Sequence, residues 1–150
     1  MKKQPIILIG GGGHCISCID VIEETGLYEI IGILDQPEKK GSIVLGYPVI
    51  GTDDDIPELI VKCPDFHITV GQIKSSHVRK SIFEKIKNNG GHLPVIVSPT
   101  AHVSSHATIE EGSIIMHQAL VNASASIGKA CIINSKALIE HEARVGDFCH

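Results

Sequence analysis

The chain has 150 residues, of which 43 % are hydrophobic, with 13 Lys and Arg against 17 Asp and Glu and a net charge of −4. That supplies one ordinary core or two small ones, and the scattered charge, with no basic run studded with aromatics, argues against a nucleic-acid surface. The longest apolar stretch, "PIILI", is far too short to span a membrane, no small-residue cleavage site follows the "MKK" start, and five widely spread cysteines read as reduced thiols of a cytoplasmic protein.

The first half alternates strand-like and helix-like segments. "PIILI" reads as a buried strand, Gly10 to Gly13 as a turn, and "HCISCIDVIEETG" as a helix with Ile16, Ile19, Val21 and Ile22 inward and Gly26 as its stop. "YEIIGILD" is a second strand ending in Asp35, and "FHITVG" is another ending in Gly71. "SSHVRKSIFEKIKNNGG" is an amphipathic helix with a Ser start and a Gly stop, and "LPVIV" is a last strand. This order predicts a parallel sheet with ligands at the C-terminal ends of its strands.

The glycine turn can set backbone N–H groups and a helix N-terminus against an anion. Asp35 stands where an acid often accepts from a ribose hydroxyl. The dinucleotide pattern G-x-G-x-x-G fails, because Gly10 and Gly12 fit but the third position is Cys15. A half-size domain of this kind suits a single nucleotide or nucleotide-linked ligand better than NAD. Cys15 and Cys18 form C-x-x-C at a helix start, without the aromatic-rich setting of a redox site, and read as helix-packing residues.

The composition changes near Ser98. The predicted domains are 1–97, a Rossmann-like α/β unit, and 98–150. Every sixth residue of the second part is a β-branched aliphatic: Val103, Ile109, Ile115, Val121, Ile127, Ile133, Ile139 and Val145. Two residues before each stands a small one: Ala101, Ala107, Ser113, Ala119, Ala125, Cys131, Ala137 and Ala143. A helix cannot keep a period of six on one face, whereas i and i−2 of a strand point the same way. The pattern is that of hexapeptide repeats in a parallel β-helix.

With three hexads per coil, residues eighteen apart stack. Val103, Val121 and Ile139 make one inner column, Ile109, Ile127 and Val145 a second, and Ile115 and Ile133 a third. The outward neighbours are polar over the second column (Thr108, Ser126, Arg144) and aliphatic over the third (Ile114, Ile132) and the first (Leu120, Leu138 below His102). Exposed apolar columns predict a partner surface, with cover by the N-terminal domain as the alternative. His102 and His106 lie in repeat strands where they do not converge, so no metal site is expected.

Taken together, "LIGGGGHC", "ILDQ", "VGQ" and "INSKALIEHEARVGDFCH" resemble the sialic-acid O-acetyltransferase and bacillosamine-pathway UDP-4-amino-sugar N-acetyltransferase family. The resemblance implies a small Rossmann-like domain for a nucleotide sugar, then a left-handed β-helix, although parallel crossovers are normally right-handed. It implies homotrimers and acetyl transfer from acetyl-CoA, with sites between neighbouring helices. By position, His141 matches the catalytic base and Glu142 the acid that raises its basicity. Asn134 matches a residue near the acceptor group and His150 one beside the thioester of acetyl-CoA. Gly12, Gly13 and His14 match the turn over the sugar nucleotide, and Asp35, Gln36 and Gly71 further nucleotide contacts. Gln36 departs from members with a second acid there.

The chemistry suits the residues on its own terms. An amine or hydroxyl attacking a thioester must lose a proton, which an imidazole can take near neutral pH. A neighbouring carboxylate fixes its tautomer and stabilises the imidazolium. The expected function is therefore an acetyl-CoA-dependent acetyltransferase acting on a UDP-linked amino sugar for bacterial surface glycans. The alternatives are a sialic-acid-like sugar O-acetyltransferase, a non-catalytic nucleotide-sugar-binding module, and an NAD-dependent oxidoreductase. The hexads stop at Val145–His150, whereas the family's helices run for further coils. A 150-residue form is thus expected to bind nucleotide sugar but to bind and use acetyl-CoA poorly.

Overall fold

A computed structural model describes residues 1–72 and 74–150. The chain divides into two compact units, Met1–Leu93 and Pro94–His150.

In the first unit, β1 (Gln4–Ile9) runs into the glycine turn and α1 (Gly13–Thr25). There follow β2 (Tyr28–Leu34), β3 (Ile43–Val44), β4 (Tyr47–Gly51), the short α2 (Ile56–Leu59), β5 (Phe66–Ile68) and α3 (His77–Asn88). The sheet order is β3-β4-β2-β1-β5. β4, β2, β1 and β5 are parallel, and only β3 runs antiparallel on its partner β4. β1 is central, and Ile6, Ile7, Leu8 and Ile9 are all buried, as a strand covered on both faces demands. α1 ends at Gly26, whose left-handed φ of 67° lets its N–H reach the Glu23 carbonyl. Its buried stripe is Cys15, Cys18, Ile19, Val21 and Ile22, while Ile16 is 49 % exposed rather than inward. One residue turns a helix by about 100°, which carries Ile16 off the stripe that its neighbour Cys15 begins.

The second unit is a left-handed parallel β-helix. Its two-residue strands are β6 (Ile96–Val97), β7 (His102–Val103), β8 (Thr108–Ile109), β9 (Ile114–Ile115), β10 (Leu120–Val121), β11 (Ser126–Ile127), β12 (Ile132–Ile133), β13 (Leu138–Ile139) and β14 (Arg144–Val145). They form three sheets, β7-β10-β13, β8-β11-β14 and β6-β9-β12, one for each predicted column. "LPVIV" therefore supplies a strand of the β-helix and not of the α/β sheet: β6 pairs with β9 through Ile96–Ile114 and Val97–Ile115. The physical reason is register, since Val97 stands one hexad before Val103. The interior is built from Ile115, Val121, Ile127 and Ile133 with the small residues Ala119, Ala125 and Cys131 at the bends.

One corner feature is absent from the hexad pattern. Gln118, Ser124, Ala130, Lys136, Glu142 and Phe148 all have left-handed φ between 49° and 61°. A non-glycine residue there costs roughly 1–2 kcal/mol. The cost is offset locally, because the N–H of Ser124, Ala130, Lys136, Glu142 and Phe148 each reaches a carbonyl of the preceding coil at 2.7–3.1 Å. The outward aliphatics also differ from expectation. Leu120 and Leu138 are exposed at 36 % and 58 %, but Ile114 and Ile132 are buried. Alternation tells which side of the coil a side chain leaves, not how exposed it is there.

Candidate functional site

At the C-terminal ends of β1 and β2 lies a cavity of roughly 310 Å³, lined by Asp35, Gln36, Asp53, Asp54, His77 and Ser81 over apolar walls that include Ile9, Leu34 and Val70. Its size suits a nucleoside-sized ligand. Asp35 is the organising group. Its Oδ2 accepts from the Gly11 N–H at 2.8 Å and from Lys39 Nζ at 3.2 Å, and its Oδ1 accepts from the Gln36 N–H at 2.8 Å. Burial pushes this carboxyl up, but the Gln36 and Gly11 N–H groups and Lys39 outweigh it, and the group stays below the usual carboxylate range. Asp35 is thus an ionised acceptor at neutral pH.

The predicted residues of this unit fall in two places. Asp35 and Gln36 line the cavity, whereas Gly12, Gly13, His14 and Gly71 do not. Those four lie by the start of α1. A Cβ built on Gly71 would stand 3.4 Å from that of His14. His14 Nε2 lies 3.2 Å from Cys18 Sγ. A Cβ on Gly12 or Gly13 would meet nothing within 4 Å, and Gly12 has an unstrained φ of −84°. The chain's own packing does not require glycine at either position, so any requirement comes from what approaches the turn. Gly10 differs, with φ of 108° and a Cβ position 2.7 Å from the Val70 nitrogen. Cys15 and Cys18 are fully buried, and burial pushes both thiols up, which suits packing and not redox chemistry.

Sequence reasoning missed the far wall of the cavity. Asp53 and Asp54 sit on a 3₁₀ turn, Asp53–Asp55, opened by a reciprocal cap between Thr52 and Asp55. Lys85 of α3 pairs with Asp53 at 3.3 Å and Asp54 at 2.7 Å. The available signal was "GTDDD", a strand end followed by a capping residue and three acids.

In the β-helix, His141 and Glu142 form the middle of a turn closed by Ala143 N–H to the Glu140 carbonyl at 3.2 Å. Glu142 carries the positive φ that a type II turn places at its third residue. His141 Nδ1 lies 3.1 Å from Glu142 Oε2, with the side chains 67 % and 78 % exposed. This turn joins β13 to β14. Asn134 sits on the preceding corner, between β12 and β13, where its Nδ2 is 3.4 Å from His150 Nε2. The structure thus brings His141 to Glu142 and Asn134 to His150, but places the two pairs on different corners of the coil. Among the described residues, no group of three or more His, Cys, Asp or Glu is arranged to hold a metal ion. No helix among them is long and apolar enough to cross a membrane.

Residues 5–86 match the family described as the PglD N-terminal domain. Among solved structures, the chain is similar to PerB from Caulobacter crescentus in complex with CoA and GDP-perosamine, at 30 % identity and a TM-score of 0.88 over 97 % of this chain and 67 % of that one. A mutant of perosamine N-acetyltransferase from the same organism, with the same ligands, matches at 29 % identity and a TM-score of 0.89, over 97 % and 67 % of the two chains. The acetyltransferase domain of PglB from Neisseria gonorrhoeae FA1090, in complex with acetyl coenzyme A, matches at 29 % identity and a TM-score of 0.86, over 98 % and 69 %. The chain spans about two thirds of the length of these relatives. Matched across more than half its residues, and with both halves folded as its motifs foretell, it belongs to the PglD N-terminal domain family.

Proposed function

We propose that this chain carries the nucleotide-sugar domain and the proton-transfer corner of a sugar N-acetyltransferase, which moves acetyl from acetyl-CoA to the amine of a nucleotide-linked amino sugar. The observation that carries this reading is the His141–Glu142 pair on an exposed corner of a hexapeptide β-helix. The sugar amine attacks the thioester carbonyl and the C–S bond breaks as CoA leaves. His141 Nε2 takes the amine proton, while Glu142 accepts from Nδ1–H and holds the ring in that tautomer. Asp35 offers its carboxylate to the nucleoside in the α/β cavity, and the turn at Gly12, Gly13 and His14, with Gly71 beside it, faces the phosphates. Asn134 and His150 take the acceptor and thioester ends.

The two corner pairs support an assembled enzyme. Leu120 and Leu138 are exposed on the sheet face β7-β10-β13. That face is bounded at one edge by the Asn134 corner and at the other by the His141 corner. Copies packed along it as a homotrimer bring the His141 edge of one to the Asn134 edge of the next. Acetyl-CoA is the co-substrate, the setting is cytoplasmic, and the product serves surface-glycan synthesis.

UDP is the nucleotide that the motif resemblance implies, while PerB is a relative seen with a GDP-linked sugar. Calorimetric titration with UDP-linked and GDP-linked amino sugars, CoA and NAD tests the reading. In a chain extended by the further coils of its longer relatives, binding of one nucleotide sugar and of CoA supports it. A nucleotide sugar alone in that longer chain indicates the non-catalytic module, and NAD alone overturns the reading.

A further inference from the structure

The ring of His141 is two-thirds exposed, so packing does not hold it, yet a general base must be placed to within about half an ångström. Its placement must come from hydrogen bonds, and a residue with no role so far accepts one from His141 and one from the preceding coil. Glu140 Oε2 accepts from the His141 N–H at 3.2 Å and from Asn122 Nδ2 at 3.3 Å. Asn122 lies directly over Glu140 in the preceding coil, as the pairing of Val121 with Ile139 requires. Its own orientation is set, because its Oδ1 accepts from the Ala123 N–H at 2.8 Å. Ala123 in turn accepts from the Glu142 N–H at 3.1 Å.

Resting on the acetyl-transfer reading above, we infer that Glu140, anchored by Asn122 of the preceding coil, is a positioning residue that fixes the main chain of His141. The second residue of the turn has no partner for its N–H in the turn's own closing bond, which runs from Ala143 to Glu140. The Glu140 carboxylate fills that need and ties the corner to the coil above. The division of labour between the flanking acids follows. Glu142 acts on the imidazole through Nδ1, and Glu140 acts on the backbone that carries it.

Both bonds converge on a single oxygen, Oε2, so a neutral side chain with one carbonyl oxygen in the same place can make them. This separates hydrogen bonding from charge. The variants are Glu140→Gln, Glu140→Ala, Asn122→Ala and the double variant Asn122→Ala with Glu140→Ala.

Amide hydrogen exchange at His141 needs neither substrate. Exchange there is expected to quicken up to about tenfold in Glu140→Ala, the equivalent of one ordinary hydrogen bond, and to stay within about twofold of wild type in Glu140→Gln. Unchanged exchange in Glu140→Ala overturns the proposal.

Acetyl transfer is then followed, in chains extended by the further coils of the longer relatives, with GDP-perosamine and a UDP-4-amino sugar as acceptors. For Glu140→Ala, kcat is expected to fall about 10–100-fold, the scale of a small misplacement, with KM for both substrates held within about twofold. Glu140→Gln should restore most of that loss, and the double variant should be no slower than Glu140→Ala. Equal losses in Glu140→Gln and Glu140→Ala, or a loss confined to KM, overturn the positioning role. A wild-type protein that acetylates neither acceptor sinks the acetyl-transfer reading itself, and the exchange measurement still decides whether Glu140 holds His141.

Discussion

His141 and Glu142 are adjacent in sequence, yet their side chains meet, Nδ1 to Oε2, at 3.1 Å. Neighbours in a strand point to opposite faces. The left-handed φ of 60° at Glu142 turns the second side chain back toward the first. A residue chosen for chemistry therefore occupies a position where glycine is easier, and Glu142→Gly should separate the two demands. The turn should survive, with stability within about 1 kcal/mol of wild type, while kcat falls about 10–100-fold as the imidazole loses its partner. Thermal melts beside steady-state rates read both. A variant that unfolds, or one that turns over normally, contradicts this assignment.

The glycine turn yields an expectation about ligands alone. A side chain at Gly13 meets open space in the unliganded chain. Gly13→Val should leave the melting temperature nearly unchanged and weaken nucleotide-sugar binding by about 100-fold or more, since an anion can no longer approach the backbone closely. Calorimetry with the UDP- and GDP-linked sugars checks this, and undiminished affinity rejects the turn as a contact. Gly10→Ala should instead destabilise the fold, because its Cβ would collide with Val70.

Assembly should depend on one aliphatic column and not the other. Leu120→Lys with Leu138→Lys alters exposed residues and is expected to lower the oligomeric state in sedimentation while the chain stays folded. Ile132→Lys would bury an unpaired charge and should cost stability directly, by several kcal/mol. A double leucine variant that sediments like wild type removes this face from the interface.

His67 supplies a pH dependence. It is fully buried on β5, and neither ring nitrogen has a hydrogen-bond partner among the described residues. Burial, then Arg79 and His14, push its imidazole down to about 3. The unfolded chain binds that proton with an ordinary value near 6.5. The contribution to stability is therefore fully present above about pH 6.5 and is lost as pH falls from there toward about 3, at up to about 1.4 kcal/mol per pH unit. His67→Phe should show a smaller drop in melting temperature between pH 7 and pH 5 than wild type. Equal drops would show that carboxylates alone set the acid limit.

Much of this was legible in the sequence because it rests on periodicity. The hexad of branched and small residues determines the three sheets and their register, down to the pairing of Val121 with Ile139. The strand–glycine–helix order places Asp35 at a strand end beside the turn. What escaped depends on interactions that period alone does not encode. The left-handed corners carry Gln, Ser, Ala, Lys, Glu and Phe, where a turn rule looks for glycine. The burial of Ile114 and Ile132 is not set by their outward place in the alternation. The separation of His141 from Asn134, by contrast, is readable from the period: seven residues in a six-residue repeat move a side chain to the next corner of the triangle.

In the proposed reaction His141 takes the proton of an amino sugar during acetyl transfer. It is tested by transfer of isotope-labelled acetyl from acetyl-CoA to nucleotide-linked amino sugars, comparing His141 with His141→Ala in chains extended by the further coils that the longer relatives carry. Labelled sugar is expected from the parent protein and a rate about 10²–10⁴-fold lower in the variant, with nucleotide-sugar affinity nearly intact. Equal rates at saturating substrates would contradict it.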